Sequence, residues 1–110
     1  MMKQLVRELD GVQLDYWFAK ANGFKDISTK DGVEYSCFSR SWKFIGPIIE
    51  RENISLNYDE EEGYWCAELP DSTIKIFDVP SFAYGETLLK AAMRCFVQYK
   101  LGKYVNVEDE

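Results

Sequence analysis

The sequence predicts a small α+β sandwich, in which an antiparallel sheet of three or slightly more strands packs with an N-terminal helix, a short central helix and a long C-terminal helix. Two observations support this fold class: apolar residues recur with a helical period near both ends of the chain, and they alternate with polar residues in between. The chain has 110 residues, of which 46% are hydrophobic, and this suits one core. We expect a single domain over residues 1–110, ordered over about 11–107, with an acidic tail at 108–110.

The first two helices are predicted from residue spacing and from the residues at their ends. Apolar residues three and four apart indicate a helix over about 11–22, and Asp10 is placed to cap its first amides. A short helix is expected over 46–53, because Pro47 has the φ angle of a first helical turn and Asn53 tolerates the left-handed conformation that ends many helices. The free amides at the start of this short helix would form a small anion-binding site.

Three strands are predicted between the short helix and the last helix. Apolar and polar residues alternate over 54–58 and over 64–69, and the acidic segment 59–63 between them is typical of a turn. A third strand is expected over about 74–79, where Pro80 would end it. Together these segments predict an antiparallel meander.

The last helix has the strongest pattern in the sequence. It is predicted over about 86–101, because apolar residues follow the helical period and the flanking Gly85 and Gly102 are typical of helix ends. The polar side chains of this helix form one stripe, made of Thr87, Lys90, Arg94 and Gln98.

The net charge of −6 lies entirely in the second half of the chain. Residues 1–50 contain seven basic and seven acidic side chains, whereas residues 51–110 contain six basic and twelve acidic ones. Because an acidic protein is repelled by the nucleic-acid backbone, we do not expect direct nucleic-acid binding. Such a protein can instead occupy a basic surface of another protein.

The residue types exclude most familiar catalytic sites. The chain has no histidine, which removes the commonest general base and the commonest metal ligand. Its three cysteines, Cys37, Cys66 and Cys95, form no C-x-x-C pair, and an odd, sparse set is typical of free thiols in a reducing compartment. No apolar run is long enough to span a membrane, and the start does not look like a signal peptide. We therefore expect a cytoplasmic protein with no catalytic residues, no metal and no cofactor.

Four blocks of sequence occur in an order that resembles one protein family. The segments are 14–23 (LDYWFAKANG), 35–36 (YS) with Trp42 and 46–52 (GPIIERE), 65–67 (WCA), and 85–95 (GETLLKAAMRC). They resemble the NinX-like proteins of tailed phages and prophages, over about residues 11–107. The resemblance implies a small α/β sandwich of phage origin in a host bacterial cell, and it implies no particular activity. The chain departs from the family pattern at Leu88, where the family usually has proline.

The first functional hypothesis is that the chain captures a small anionic or nucleotide-like ligand, in a counter-defence role, without catalysis. Aromatic rings can stack on a base, while hydroxyl and cationic groups can bind phosphate or carboxylate. The residues that would form this pocket are Tyr35, Ser36, Trp42, Lys43, Arg51, Thr87 and Arg94. The same residues also have structural interpretations, because Thr87 can cap the last helix and the two arginines can pair with nearby glutamates.

Two alternatives stay open. In the first, the chain is an acidic protein-binding module that blocks a basic surface of a host protein, through Asp59, Glu60, Glu61 and Glu62. In the second, it is a structural module that forms a homodimer through exposed tyrosine and phenylalanine side chains of residues 77–84. Neither alternative involves a membrane.

Overall fold

A computed structural model describes residues 3–21, 42–70 and 81–106 of the protein. In these residues the chain forms three helices and five strands. In chain order they are β1 (Lys3–Leu5), α1 (Gly11–Ala21), α2 (Trp42–Arg51), β2 (Ser55–Asp59), β3 (Tyr64–Glu68), β4 (Phe82–Gly85), α3 (Leu88–Leu101) and β5 (Tyr104–Asn106). None of the described helices combines the length and the apolar character needed to cross a membrane.

Strands β2, β3 and β4 form an antiparallel sheet with β3 in the middle. Ala67 of β3 lies opposite Ala83 of β4, and both are buried on the inner face, against which α3 packs. Side chains alternate between the two faces of a sheet, so the register fixes the residues of the opposite face. This outer face carries Ser55, Asn57, Asp59, Tyr64, Cys66, Glu68, Phe82 and Tyr84.

A second sheet joins the two ends of the described chain. β1 and β5 pair in antiparallel fashion, and the Val6 amide donates a hydrogen bond to the Lys103 carbonyl at 2.9 Å. A 3-10 turn over Val6–Glu8 follows β1, and the side chains of Val6 and Leu9 are fully buried. The sequence analysis missed both strands, because three residues are too few to show an alternating pattern.

The hydrophobic core lies between the larger sheet and the helices. The Phe18 ring of α1 contacts the Phe96 ring of α3, with centroids 5.7 Å apart, and both side chains are buried. Every residue of α3 from 91 to 98 is buried, and this run includes the polar Arg94 and Gln98. α3 is therefore the central element, and part of its predicted polar stripe faces inward.

The structure confirms the first and last helices as the sequence predicts them. α3 begins after Thr87, whose Oγ1 accepts a hydrogen bond from the Lys90 amide at 3.1 Å. It ends at Gly102, which has a φ of +98° and whose amide donates to the Gln98 carbonyl. The capping interpretation of Thr87 and the helix-ending interpretation of Gly102 are both confirmed.

The central helix begins four residues earlier than the sequence predicts. α2 starts at Trp42, so Pro47 lies inside it, and the predicted anion site at its first amides is wrong. Pro47 has no N–H to donate to the preceding turn, which weakens the helix locally. The helix still forms because Ile45 and Ile48, three residues apart, are both buried in the core. At the other end Asn53 has a φ of +56°, which confirms its left-handed conformation.

β4 occupies the third position in the larger sheet. The predicted strand over 74–79 lies outside the described residues, and the sequence analysis considered residues 77–84 as a dimer interface and predicted no strand over 82–85. The inward positions of β4 are Ala83 and Gly85, and they are small because α3 lies directly against them. A Cβ atom on Gly85 would lie 2.5 Å from the Ala91 backbone nitrogen.

This contact predicts that Gly85→Ala lowers the free energy of unfolding by about 2 kcal/mol, because the added methyl group separates β4 from α3. The control is Gly46→Ala within α2, where the nearest atom to the added Cβ is a Trp42 ring carbon at 3.9 Å. Alanine suits a helix interior, so the control keeps or raises stability by up to about 1 kcal/mol. Urea denaturation measures both variants, and equal stability of Gly85→Ala and the wild type would contradict the close packing.

Candidate functional site

Arg94 of α3 connects separate segments of the chain. Its Nε donates a hydrogen bond to the Leu9 carbonyl and its Nη1 donates one to the Tyr84 carbonyl, both at 2.9 Å. The carboxylates of Glu86 and Asp10 lie 3.6 and 3.9 Å from its terminal nitrogens. Only 6% of the residue is exposed. These contacts give Arg94, which the sequence analysis placed in the anion pocket, a structural role.

Lys90 extends this cluster toward the first turn of α1. Its Nζ lies 2.9 Å from the Asp10 carboxylate and 3.3 Å from the Glu86 carboxylate. The hydrogen bond from Lys90 lowers the pKa of Asp10, and the same hydrogen bond raises the pKa of Lys90. Asp10 also accepts a hydrogen bond from the Gly11 amide at 2.9 Å. Two carboxylates balance the two cations of this stripe, so it carries no excess positive charge for an external anion.

The remaining residues of the predicted anion pocket are spread along α2 and beyond the described chain. Trp42 and Lys43 are exposed at the first turn of α2, and Arg51 is exposed at its last residue. Arg51 lies nine positions after Trp42, which corresponds to about 13 Å along a helix axis. Tyr35 and Ser36 lie outside the described residues.

The guanidinium groups of Arg51 and Arg94 lie on different sides of α3. The Arg51 guanidinium lies 6.0 Å from the centre of the Phe96 ring, and its Nε is 3.3 Å from the Glu52 carboxylate. Residues two apart on a helix project about 200° apart around its axis, so Phe96 and Arg94 point in nearly opposite directions. The described structure does not bring the two arginines into one pocket.

The turn between β2 and β3 displays a group of carboxylates. The Asp59 side chain accepts hydrogen bonds from the amides of Glu61 and Glu62 at 3.0 and 3.1 Å. Gly63, with a φ of +76°, closes the turn through its amide, which donates to the Asp59 carbonyl at 2.8 Å. Asp59 therefore shapes this acidic turn (residues 59–62), while the side chains of Glu60, Glu61 and Glu62 are exposed.

Three aromatic side chains form a row on the outer face: Tyr64 lies opposite Asp59 beside the acidic turn, and Tyr84 and Phe82 follow toward the other end of the sheet. Tyr64, Phe82 and Tyr84 are 43%, 40% and 50% exposed, and the rings of Phe82 and Tyr84 meet edge to face with centroids 5.6 Å apart. The sequence analysis considered Phe82 and Tyr84 only as part of a dimer interface over residues 77–84 and did not join them to Tyr64, because their common face depends on β4, which it missed. Alternate aromatic residues on the two sides of Ala83 were the available signal.

A groove of about 520 Å³ runs beside these rings. We call it the outer groove. Its charged lining residues are the acidic Glu8, Asp59, Glu62 and Glu86 and the basic Arg7 and Arg94. Since carboxylates outnumber guanidinium groups and Arg94 is already bonded within the fold, the groove favours a cation over an anion.

The two described cysteines are unsuited to nucleophilic chemistry. Burial raises the pKa of Cys95 to about 12. Burial, followed by the charges of Glu68 and Asp59, raises the pKa of Cys66. Both side chains therefore stay in the thiol form near neutral pH. Among the described residues, no three cysteine, aspartate or glutamate side chains lie close enough together to hold a metal ion.

A comparison with protein families supports the resemblance seen in the sequence. A family model described as Bacteriophage P22, NinX matches residues 5–100. The chain belongs to this family. The matched range contains Arg94 with all the residues that it contacts, and it also contains every residue that lines the outer groove in this NinX-family chain. No curated protein matches the chain.

The Arg94 contacts predict that Arg94→Ala lowers the free energy of unfolding by about 3 kcal/mol, because two carbonyls and two carboxylates lose a buried partner. Arg51→Ala is the matched control, and it costs less than about 1 kcal/mol because Arg51 is exposed and its ion pair is solvated. Urea denaturation followed by circular dichroism gives both values. Equal losses in the two variants would contradict the central role of Arg94.

The lowered pKa of Asp10 predicts a dependence of stability on pH. A carboxylate whose pKa is lower in the folded state stabilises the fold above its ordinary pKa near 4, and this contribution is lost as the pH falls through the folded-state pKa. Asp10→Asn keeps a helix-capping side chain but removes the charge. We expect it to cost less than about 1 kcal/mol at pH 7, because Asp10 is more than half exposed, and to approach wild-type stability near pH 2. Thermal unfolding at several pH values measures the difference, and a constant difference would exclude an ionic origin.

Proposed function

We propose that this NinX-family chain is a phage accessory protein that acts by non-catalytic binding, with its outer face docked on a basic surface of a partner protein. One observation carries the proposal: Tyr64, Tyr84 and Phe82 form an exposed row on the outer face, and Tyr64 starts this row beside the acidic turn. Exposed aromatic side chains supply contact area at low entropic cost, and carboxylates beside them select a partner of opposite charge. The family match supports the phage origin.

A protein partner explains this surface better than a small anion does. Of the cations proposed for anion capture, Arg94 is bonded within the fold, and Arg51 lies on a different side of α3 from Arg94. The outer face instead combines carboxylates with aromatic rings, so it repels phosphate groups and attracts lysine and arginine side chains. A basic surface that normally holds nucleic acid has the required charge.

A second copy of the chain is the other candidate partner, and charge disfavours it. A two-fold symmetric dimer places the same surface on both sides of the interface. The acidic turns of two such copies would then come close together, and like charges at an interface cost free energy. We therefore commit to a basic protein partner, which we place in the bacterial cytoplasm, where the thiols of Cys66 and Cys95 stay free.

The proposal predicts that the purified chain captures from a bacterial lysate a protein of basic isoelectric point, and that two outer-face variants lose it. The variants are the triple change Glu60→Gln, Glu61→Gln and Glu62→Gln, and the single change Tyr84→Ala. Each is expected to reduce capture at least tenfold, because one removes charge attraction and the other removes an aromatic contact. Quantitative mass spectrometry of the captured proteins measures the reduction.

Arg51→Ala is the control, because it alters a charge on α2, outside the outer face, and it should leave capture unchanged. Capture of an acidic protein, or equal capture by the triple variant and the wild type, would overturn the proposal. Size-exclusion chromatography with light scattering tests the dimer, and a dimer that Tyr84→Ala dissociates would show that the outer face binds a second copy instead.

A further inference from the structure

The outer groove lies along β4, where the outer face meets α3 and the 3-10 turn, and the residues that line it indicate what kind of group enters it. It lies among the 3-10 turn at residues 6–8, the acidic turn, and β4 with its flanking helix α3. Its volume of about 520 Å³ is within the range of small-ligand sites. Aromatic rings and carboxylates line the same space, so a well-matched occupant has both a flat or apolar part and a positive charge.

The carboxylates that line the groove differ in whether they already form ion pairs or hydrogen bonds with other described residues. Glu86 lies 3.6 Å from Arg94, and Asp59 accepts the amide hydrogen bonds of its own turn. Among the residues that the structure describes, neither Glu8 nor Glu62 forms an ion pair with a lysine or an arginine. These two carboxylates line the groove without an ion pair to a described residue, and with Glu86 and Asp59 they outnumber Arg7 and Arg94, the two cations that line it.

We propose that the outer groove binds the guanidinium group of an arginine side chain presented by the partner, an inference that rests on the proposed function. A guanidinium group is planar and weakly hydrated, so it stacks on an aromatic ring while its N–H groups donate to carboxylates. The rings of Phe82 and Tyr84 supply the stacking surface, and Glu8 and Glu62 supply the acceptors. A lysine ammonium group matches the charge alone, because it is a strongly hydrated point charge.

The test uses a single amino acid as the probe, so that it reports on the groove and not on the whole interface. The full chain is titrated with N-acetyl-arginine amide and, separately, with N-acetyl-lysine amide, while NMR records the backbone amide signals. We expect saturable shifts at Glu8, Glu62, Phe82 and Tyr84 with the arginine probe. The arginine probe should bind at least threefold more tightly than the lysine probe, because only the guanidinium group stacks and donates in a plane.

Two matched variants separate the groove from the general acidity of the turn. Glu62→Gln changes a carboxylate that lines the groove, whereas Glu61→Gln changes a neighbour in the same turn that does not line it. We expect Glu62→Gln to weaken binding of the arginine probe about fivefold and Glu61→Gln to weaken it less than twofold. Tyr84→Leu keeps an apolar side chain but removes the ring, and it should also weaken binding about fivefold.

The outcomes distinguish this inference from the function on which it rests. Equal binding of the two probes, equal effects of the two glutamine variants, or no shifts at the groove would overturn the arginine site. If the triple variant of the acidic turn still loses the captured protein in that case, the proposed function stands without it. If the arginine probe binds as expected but every outer-face variant captures the same proteins as the wild type, the groove inference holds and the proposed function fails.

Discussion

The guanidinium group of Arg94 is the interaction on which the rest of the described structure depends. Its two short hydrogen bonds connect α3 to β4 and to the segment between β1 and α1. Removing a guanidinium group from water is costly, and only well-directed acceptors and nearby opposite charges offset that cost. Arg94 has both, because two carbonyls accept its protons and the carboxylates of Asp10 and Glu86 lie close by. One side chain of α3 therefore connects both the N-terminal segment and β4 to the same helix.

Arg94 and Gln98 act together because the repeat of a helix and the repeat of a strand match at this point. Gln98 donates to the Phe82 carbonyl at 2.9 Å, as Arg94 does to the Tyr84 carbonyl. Four residues of helix rise by about 6 Å, and two residues of strand span about 6.6 Å. One stripe of α3 can therefore supply donors to successive outward carbonyls of an edge strand. β4 is an edge strand of the sheet that the structure describes, and an edge whose carbonyls are bonded in this way is a poor template for adding another strand.

How much of this could be predicted from the sequence depends on the length and regularity of each element. α1, α3, β2 and β3 were predictable, because each is long enough to show its period. β4 was missed because its inward residues are Ala83 and Gly85, and such small side chains give a weak alternating pattern even though α3 requires them to be small. The predicted start of α2 was wrong because proline is usual in a first helical turn, whereas Pro47 lies inside the helix. The burial of Ile45 and Ile48 outweighed that local preference.

The candidate site was harder to predict than the fold, because its residues acquire their roles from partners far away in the chain. Arg94 belongs to a stripe that amphipathic spacing assigns to solvent, and only the carbonyls of Leu9 and Tyr84 show why it is buried. The acidic turn was predictable as a local charge run. Its place in one groove with Phe82 and Tyr84 was not, since nineteen residues separate the end of the turn from Phe82 in sequence.

The aromatic rings of the outer face and the carboxylates of the acidic turn would contribute differently to binding, because salt screens only the carboxylates. Burying the rings of Tyr64, Phe82 and Tyr84 contributes free energy that salt does not screen. Exposed carboxylates such as Glu60 act over about one Debye length, roughly 8 Å at physiological ionic strength, and they mainly affect the rate and the specificity of association. Because the net charge of −6 arises from residues 51–110, which include the acidic turn, attraction would draw the proposed basic partner toward that turn, beside which the row of rings begins. In the proposed complex, charge would orient the partner and aromatic contact would hold it on the same face, and β4 presents its two rings there because β3, Arg94 and Gln98 hold it in place.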